Sequence, residues 1–336
     1  FLGHSRKKNG ASTGSGQTGW DGMMVFRTAI TFLLALLLAA CSGGAPRDVT
    51  VVIPEGASIR KAGEILEKAG AVDSASAFVN HARFFGGSDP IKPGEYQVKA
   101  GMDAGDVLEL LQSGKTLQRF ITVPEGMPSI MVWDRLMAEP RLTGKIPVPA
   151  EGSLLPDTYS FVSGESRAAV VKRMQDAMDR TFTELWAKRT VRSGVKDRNQ
   201  AITLASIVEK ETAVEAERRT VAGVYTNRLA IGMRLQADPT IIYPITQGKP
   251  LGRRIRRSEI DAVNDYNTYS MAGLPRGPIA NPGRASIAAV LDPESTRYLY
   301  FVADGKGGHI FAETYAEHDR NVKNWFALRR ARGEME

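Results

Sequence analysis

Residues 202–214 read Ile-Thr-Leu-Ala-Ser-Ile-Val-Glu-Lys-Glu-Thr-Ala-Val. The apolar residues recur at three- and four-residue spacing, the pattern of a helix with one face in a core. Turned at 100° per residue from Ile207, Leu204 falls at about 60°, Val208 at about 100°, Val214 at about −20° and Glu211 at about 40°. Glu211 is therefore expected in the middle of the apolar stripe. Glu209, at about 200°, is expected on the opposite, wet face. A carboxylate on a core-facing stripe is costly when ionised, so burial raises its pKa and makes it a proton donor near neutral pH. Cleavage of a glycosidic bond needs such a donor on the leaving oxygen. The structural alternative is a core glutamate satisfied by an arginine such as Arg218 or Arg228.

Outward from this helix, the pattern predicts an α+β chain in two parts. Residues 48–118 form a small mixed unit. VTVVIP (49–54) alternates as a strand, Ser58 caps a helix stopped by Gly70, and Ser74 or Ser76 opens a second helix. PGEYQVKAG reads as a strand and MDAGDVLELLQSG as a third helix ended by Gly114. Residues 119–330 form a larger domain. It opens on the strand LQRFITVPEG and continues through helical patterns at SIMVWDRLMAE, at 167–189 and at about 200–229. A turn-rich segment, GLPRGPIANPG, precedes a strand pair, RYLYFVA and HIFAETY, and a last helix. The DGKGG joining that pair has a strand on both sides, so it is expected to be a hairpin turn and not a phosphate loop, which needs a following helix.

The chain has 336 residues, 43% apolar and 24% charged, enough for a sizeable core and unlike a disordered chain. With 44 Lys and Arg against 37 Asp and Glu, its net charge of +7 favours anionic partners such as membrane headgroups or wall polymers. No zinc-finger spacing, aromatic RNA-binding strand or long basic block supports nucleic acid as the partner. The four histidines, His4, His81, His309 and His318, lack metal-ligand spacing, so no metal is expected. Residues 1–22, polar and rich in Gly and Ser, are expected to be an extraneous or misassigned tail. Residues 23–45 are expected to be a signal or anchor segment with its linker. Arg27 precedes 14 mostly apolar residues, Thr28 to Cys41, a signal-peptide core length short of a standard membrane span. Cys41 follows Leu38-Ala39-Ala40 like a lipobox cysteine, and lipidation there stands beside a plain signal anchor. Either tether delivers the rest of the chain across a bacterial inner membrane.

The run from Ile202 to Tyr243 resembles the core motif of the YceG-like family, the MltG-type endolytic murein transglycosylases. So do EGSLLPDTYSF (151–161), YNTYSMAGLPRGPIANPG (266–283) and YLYFVADGKGGHIFAETYAEH (298–318). The similarity extends from about Val49 to about Trp325. It implies a LysM-like module over 48–118 and a catalytic glutamate at the second Glu of E-K-E-T, which is Glu211. It also implies an enzyme without cofactor that cuts peptidoglycan glycan strands, with the cell-wall synthesis machinery as a partner. Arg276 stands where the family usually has a second proline. The lipobox-like ending departs from the family's usual single spanning helix.

Other residues are expected to support the chemistry. Gln236 and Asp238 in RLQADPT are candidates to hold sugar hydroxyls or position the acid. Asn267, Tyr269 and Asn281 lie in Gly- and Pro-rich loops, where binding residues collect. Each of these has a plain alternative as a turn former. Asp157 is read as a turn or cap residue, and His309 and His318 as structural. Two rival functions remain open at this stage. A hydrolytic muramidase needs a second carboxylate, for which Asp238 is the best candidate. A non-catalytic glycan-binding or division scaffold has no need of a glutamate in the apolar stripe.

Overall fold

The computed structural model describes residues 44–334. The expected tail, the apolar segment and Cys41 lie outside the described residues. Among those described, no helix is long and apolar enough to cross a membrane. Contacts divide the chain between Leu117 and Gln118, and each unit has its own apolar core.

The first unit runs β1 (Val49–Ile53), α1 (Ile59–Ala69), α2 (Ala75–Phe85), β2 (Gly94–Val98) and α3 (Ala104–Ser113). Strands β1 and β2 pair antiparallel, Val49 opposite Val98 and Ile53 opposite Gly94. Val51 and Ile53 point into the core while Val52 between them is exposed, the period-2 signature of a half-buried strand. The helix ends follow local chemistry. Ser58 and Ser74 each accept a backbone N–H three residues on. Asp103 forms a capping box with Asp106. Gly70 and Gly114 end α1 and α3 at φ 73°, where a side chain would be strained. Leu66, Phe78, Tyr96 and Leu111 fill the core.

The second unit opens with β3 (Arg119–Thr122), α4 (Ser129–Ala138), β4 (Thr158–Phe161) and α5 (Arg167–Ala187). Strand β4, part of the TYSF stretch, pairs antiparallel with β3, Ile121 opposite Tyr159. Only its partner β3 is expected from the sequence pattern; β4 follows the turn residues Pro156 and Asp157 without an apolar run of its own to mark it. Next come α6 (Arg198–Glu211), α7 (Arg218–Ala230), α8 (Pro239–Thr246), the short α9 (Arg257–Ile260) and α10 (Arg284–Leu291). The hairpin β5 (Tyr300–Ala303) and β6 (His309–Ala312) and the helix α11 (Tyr315–Ala331) close the chain. In the hairpin turn, Asp304 Oδ1 accepts the N–H groups of Lys306 and Gly308, so DGKGG is the expected turn.

Two features of α6 differ from the sequence expectation. The helix is buried on all sides from Ala201 to Val208, not along one stripe. Its small residues, Ala201, Thr203, Ala205 and Ser206, let α7 and α10 pack against it. Ser206 serves both its own helix and a loop, donating to the Thr203 carbonyl and accepting the Ile279 N–H at 3.0 Å. The expected long helical run to Leu229 is also broken. Thr212 turns extended, at φ −137° and ψ 131°, and its hydroxyl accepts the Val214 N–H at 3.0 Å. Val214 therefore lies beyond the helix and contributes nothing to its apolar face.

Candidate active site

Helix α6 begins at the N-cap Asp197, whose carboxylate accepts the Gln200 N–H at 2.8 Å. It ends on Glu211 itself. The glutamate thus sits at the electronegative end of a helix, a position that disfavours a carboxylate. Its Oε1 is sealed from solvent and has no hydrogen-bond partner, although the residue as a whole keeps some exposed surface. Burial and then the negative charge of Asp238 push its pKa up to about 7. A hydrogen bond from Tyr225 and the positive charge of Arg228 oppose that rise.

Helix α7 supplies both opposing groups, three residues apart and so on one face. Tyr225 is fully buried, and burial holds its phenol well above the usual range, so it is a permanent donor. Arg228 is also buried. Its Nε donates to the Leu299 carbonyl at 2.6 Å and its Nη1 to the Leu235 carbonyl. It therefore lends charge to the site without forming an ion pair with Glu211. Arg218, the other arginine considered as a partner, is buried with its Nε unpaired and makes no ion pair with Glu211 either. Sequence reasoning did not single out Tyr225 as a site residue. The available signal was its placement one turn before Arg228 in VYTNRL.

The segment from Met233 to Asp238 brings a second carboxylate, Asp238, near enough to act on Glu211. Gln236 takes φ 52°, a left-handed conformation that costs a non-glycine residue about 1–3 kcal/mol. Its backbone N–H donates to the Thr268 carbonyl at 3.2 Å. The Thr268 hydroxyl accepts the Ala237 N–H at 3.0 Å and lies 2.9 Å from the Thr240 hydroxyl. All of Thr240 and Thr268 is buried, so these hydroxyls clamp two loops together. The clamp brings the Tyr269 hydroxyl 2.6 Å from Asp238 Oδ1, to which it donates. Asp238 itself is exposed. Burial, then the hydrogen bond to Asp238 and the negative charges of Asp238 and Glu211, hold the Tyr269 phenol well above its usual range, so it too stays protonated. Glu211, Tyr225, Arg228, Asp238 and Tyr269 thus form one electrostatic group.

Asn267 and Asn281, expected among the substrate-binding loop residues, turn their side chains to the fold. The Asn267 amide donates to the carbonyls of Glu259, Ile260 and Ala262, and its oxygen accepts the Tyr269 N–H at 3.0 Å. It positions Tyr269 and has no free donor for a ligand. The Asn281 amide donates to the Met127 carbonyl, the Ser129 hydroxyl and Glu151, and its oxygen accepts the Leu154 N–H. Both asparagines are completely buried.

Glu209 also departs from expectation. It is half-buried and accepts the Gly283 N–H at 2.9 Å, because the loop before α10 folds over that side of α6. A Cβ at 283 would stand 1.9 Å from Glu125 Oε1, so any side chain there would have to displace the Glu125 carboxylate. Asp157 caps its own turn, accepting the Thr158 N–H. His309 pairs with Glu217 at 2.8 Å, and His318 stacks on Tyr300, ring centroids 5.1 Å apart. Arg276 is exposed and lies 3.6 Å from Asp265. Among the described residues no group of three His, Cys, Asp or Glu side chains could hold a metal ion.

A buried, protonatable glutamate braced by a permanent donor, with an exposed carboxylate at the rim, is equipped for proton transfer to and from a neutral substrate oxygen. Comparison with known proteins gives the same direction. The model of the YceG-like family matches residues 51–324. An endolytic murein transglycosylase of Bacillus subtilis (strain 168) is 29% identical over 311 residues, covering 83% of this chain and 85% of its own length. An endolytic murein transglycosylase of Streptococcus pneumoniae serotype 2 is 32% identical over 323 residues. That match covers 82% of this chain, which spans 58% of the streptococcal protein. The crystal structure of a YceG-like protein from Listeria monocytogenes superposes with a TM-score of 0.52 at 29% identity. It covers 82% of this chain and 98% of that one.

Proposed function

The chain belongs to the YceG-like family, and from that premise we propose that it is a peptidoglycan lytic transglycosylase with Glu211 as its acid and base. The observation that carries the residue assignment is the sealed, unpartnered Oε1 of Glu211 with its pKa up to about 7. At neutral pH a large share of Glu211 carries its proton. It gives that proton to the oxygen joining MurNAc to GlcNAc, and the C1–O bond breaks. Asp238, held by Tyr269, faces the positive charge that develops on C1 and the ring oxygen. Glu211, now a carboxylate steadied by the Tyr225 hydroxyl, takes the proton from the C6 hydroxyl of the same MurNAc. The C6 oxygen closes on C1 and leaves a 1,6-anhydro end. An internal hydroxyl already beside the reacting carbon has a far higher effective concentration than outside water.

The same reading takes the N-terminal unit as a LysM-like glycan-binding module. It takes the apolar stretch Thr28–Cys41 as the tether that holds the enzyme at the outer face of the inner membrane, by span or by lipid on Cys41. Internal cuts there would end the growth of new strands, beside the machinery that makes them.

One observation favours a second reading. Asp238 is close enough to raise the Glu211 pKa, and a second carboxylate at the right distance supports hydrolysis. Digestion of purified glycan strands separates the two. We expect termini with anhydro-MurNAc and no reducing end. Termini one water heavier, carrying reducible MurNAc, would make the enzyme a muramidase with Asp238 as its second carboxylate.

A further inference from the structure

A polar cavity of about 600 Å³ is lined by Arg234, Gln236, Arg257, Ile260, Asp261, Tyr269 and Ser270. Its size is that of a small-molecule site. Two of its lining residues, Tyr269 and Gln236, belong to the loops that carry Asp238 and its hydrogen bond, so the cavity adjoins the proposed site. Its charges do not cancel. Arg257 Nε is 2.9 Å from Asp261 Oδ2, so these two neutralise each other. Arg234 makes no ion pair among the described residues. One of its nitrogens, Nη1, donates to the Tyr269 carbonyl at 2.9 Å, and the side chain remains exposed. That contact ties the guanidinium to the Tyr269 backbone and leaves most of its donors for a ligand. Gln236 is exposed beside it on a strained backbone, and the Ser270 hydroxyl, donating to the Asn267 carbonyl, keeps lone pairs for an incoming donor.

We propose that this cavity is a subsite for the anionic side branch of the substrate, with Arg234 binding a carboxylate. The proposal rests on the transglycosylase reading and deepens it. A glycan strand is neutral along its backbone. Its carboxylates hang from MurNAc, on the peptide stem or on the lactyl group when the stem is gone. A MurNAc ring held at Glu211 presents that branch to one side, and a fixed guanidinium with net positive surroundings is the partner a carboxylate requires. The amide and hydroxyl of Gln236 and Ser270 match the peptide groups of a stem. Arg234 is then a specificity determinant that acts on binding and not on the chemical step.

Kinetics on two substrates test this: strands with intact stems, and the same strands with stem carboxyls converted to amides. For the wild-type chain we expect kcat/KM about tenfold lower on the amidated strands, with the change in KM. Arg234→Gln should lose about tenfold on intact strands and discriminate between the two by less than twofold, and Arg234→Lys should recover part of the preference. A preference that survives Arg234→Gln would overturn the proposal, since the carboxylate would be read elsewhere. A loss confined to kcat and equal on both substrates would also overturn it, leaving Arg234 as a brace for Tyr269. Strands stripped of stems end in a lactyl carboxylate. Sensitivity to Arg234→Gln there places the bound anion on the lactyl group, and insensitivity places it on the peptide; both retain the carboxylate subsite. If wild-type chain gives no anhydro ends on any strand, the transglycosylase reading fails first, and the proposal falls with it.

Discussion

Two glutamates of the catalytic unit are withdrawn from water, and they have opposite fates. Glu151 lies in the loop before β4. Burial raises its pKa, but the Ser129 N–H at 2.9 Å, the Asn281 amide at 3.3 Å and a hydrogen bond from Tyr243 all serve its carboxyl. It closes the first turn of α4 and ties that helix to the loop before α10. Glu211 receives one hydrogen bond, from Tyr225, and keeps an orphaned oxygen next to a second carboxylate. Burial alone therefore does not mark a candidate acid. What sets Glu211 apart is burial together with an oxygen the fold leaves unpaired.

The sharpest way to break this contrast is to remove each charge in turn. Glu211→Gln keeps the volume and removes the proton donor, and should lower turnover by about 10²–10⁴-fold with the fold intact. Glu151→Ala should keep turnover within a few-fold and cost about 1–3 kcal/mol of stability, because the Ser129 N–H and the Asn281 amide lose an acceptor. Thermal unfolding and strand digestion on both variants check it. The contrast fails if the two variants lose activity alike.

The pH dependence of stability should follow the same difference. In the folded chain the Glu211 pKa is near 7, above its ordinary 4.5. A raised folded pKa gives a contribution that is complete below about 4.5 and lost as pH rises through about 7. Wild-type chain should therefore lose stability relative to Glu211→Gln across that window, by roughly 3 kcal/mol, and run parallel to it above. Parallel curves from pH 4 to pH 8 would show that Glu211 is not held protonated.

The smallest expected effects have opposite signs. Asp238 raises the Glu211 pKa and the Tyr225 hydrogen bond lowers it. Asp238→Asn should move the high-pH fall of kcat/KM to lower pH, and Tyr225→Phe should move it to higher pH. Movement in the same direction would mean that Glu211 is not the group reported by that limb of the profile.

Helical phase picked out Glu211, and the motif resemblance did so separately, yet the phase picture was incomplete. It put Glu209 in water and Val214 on the stripe. The structure covers Glu209 with the Gly283 loop and ends the helix at Glu211. Period reports which residues of an isolated helix share a face, and it is silent on what packs against the other face. The same limit applied to Asn267 and Asn281. Their position in Gly- and Pro-rich loops suggested ligand contacts, but whether an amide has spare donors depends on carbonyls up to 154 residues away.

By itself the sequence determined the α+β alternation, the caps of α1 and α2, the glycine stops of α1 and α3, the hairpin at DGKGG and the candidate acid. All of these depend on neighbours within a few turns of chain, where residue type and spacing set the free energy. Only the tertiary structure decided that Glu211 has one partner and not two, that Tyr225 is that partner, and that a buried Thr240–Thr268 hydroxyl pair brings Asp238 to Tyr269. Those are contacts between segments distant in sequence, and the pKa of a buried carboxyl is set by them: by which dipoles and charges the packing brings near, and by how much water it shuts out.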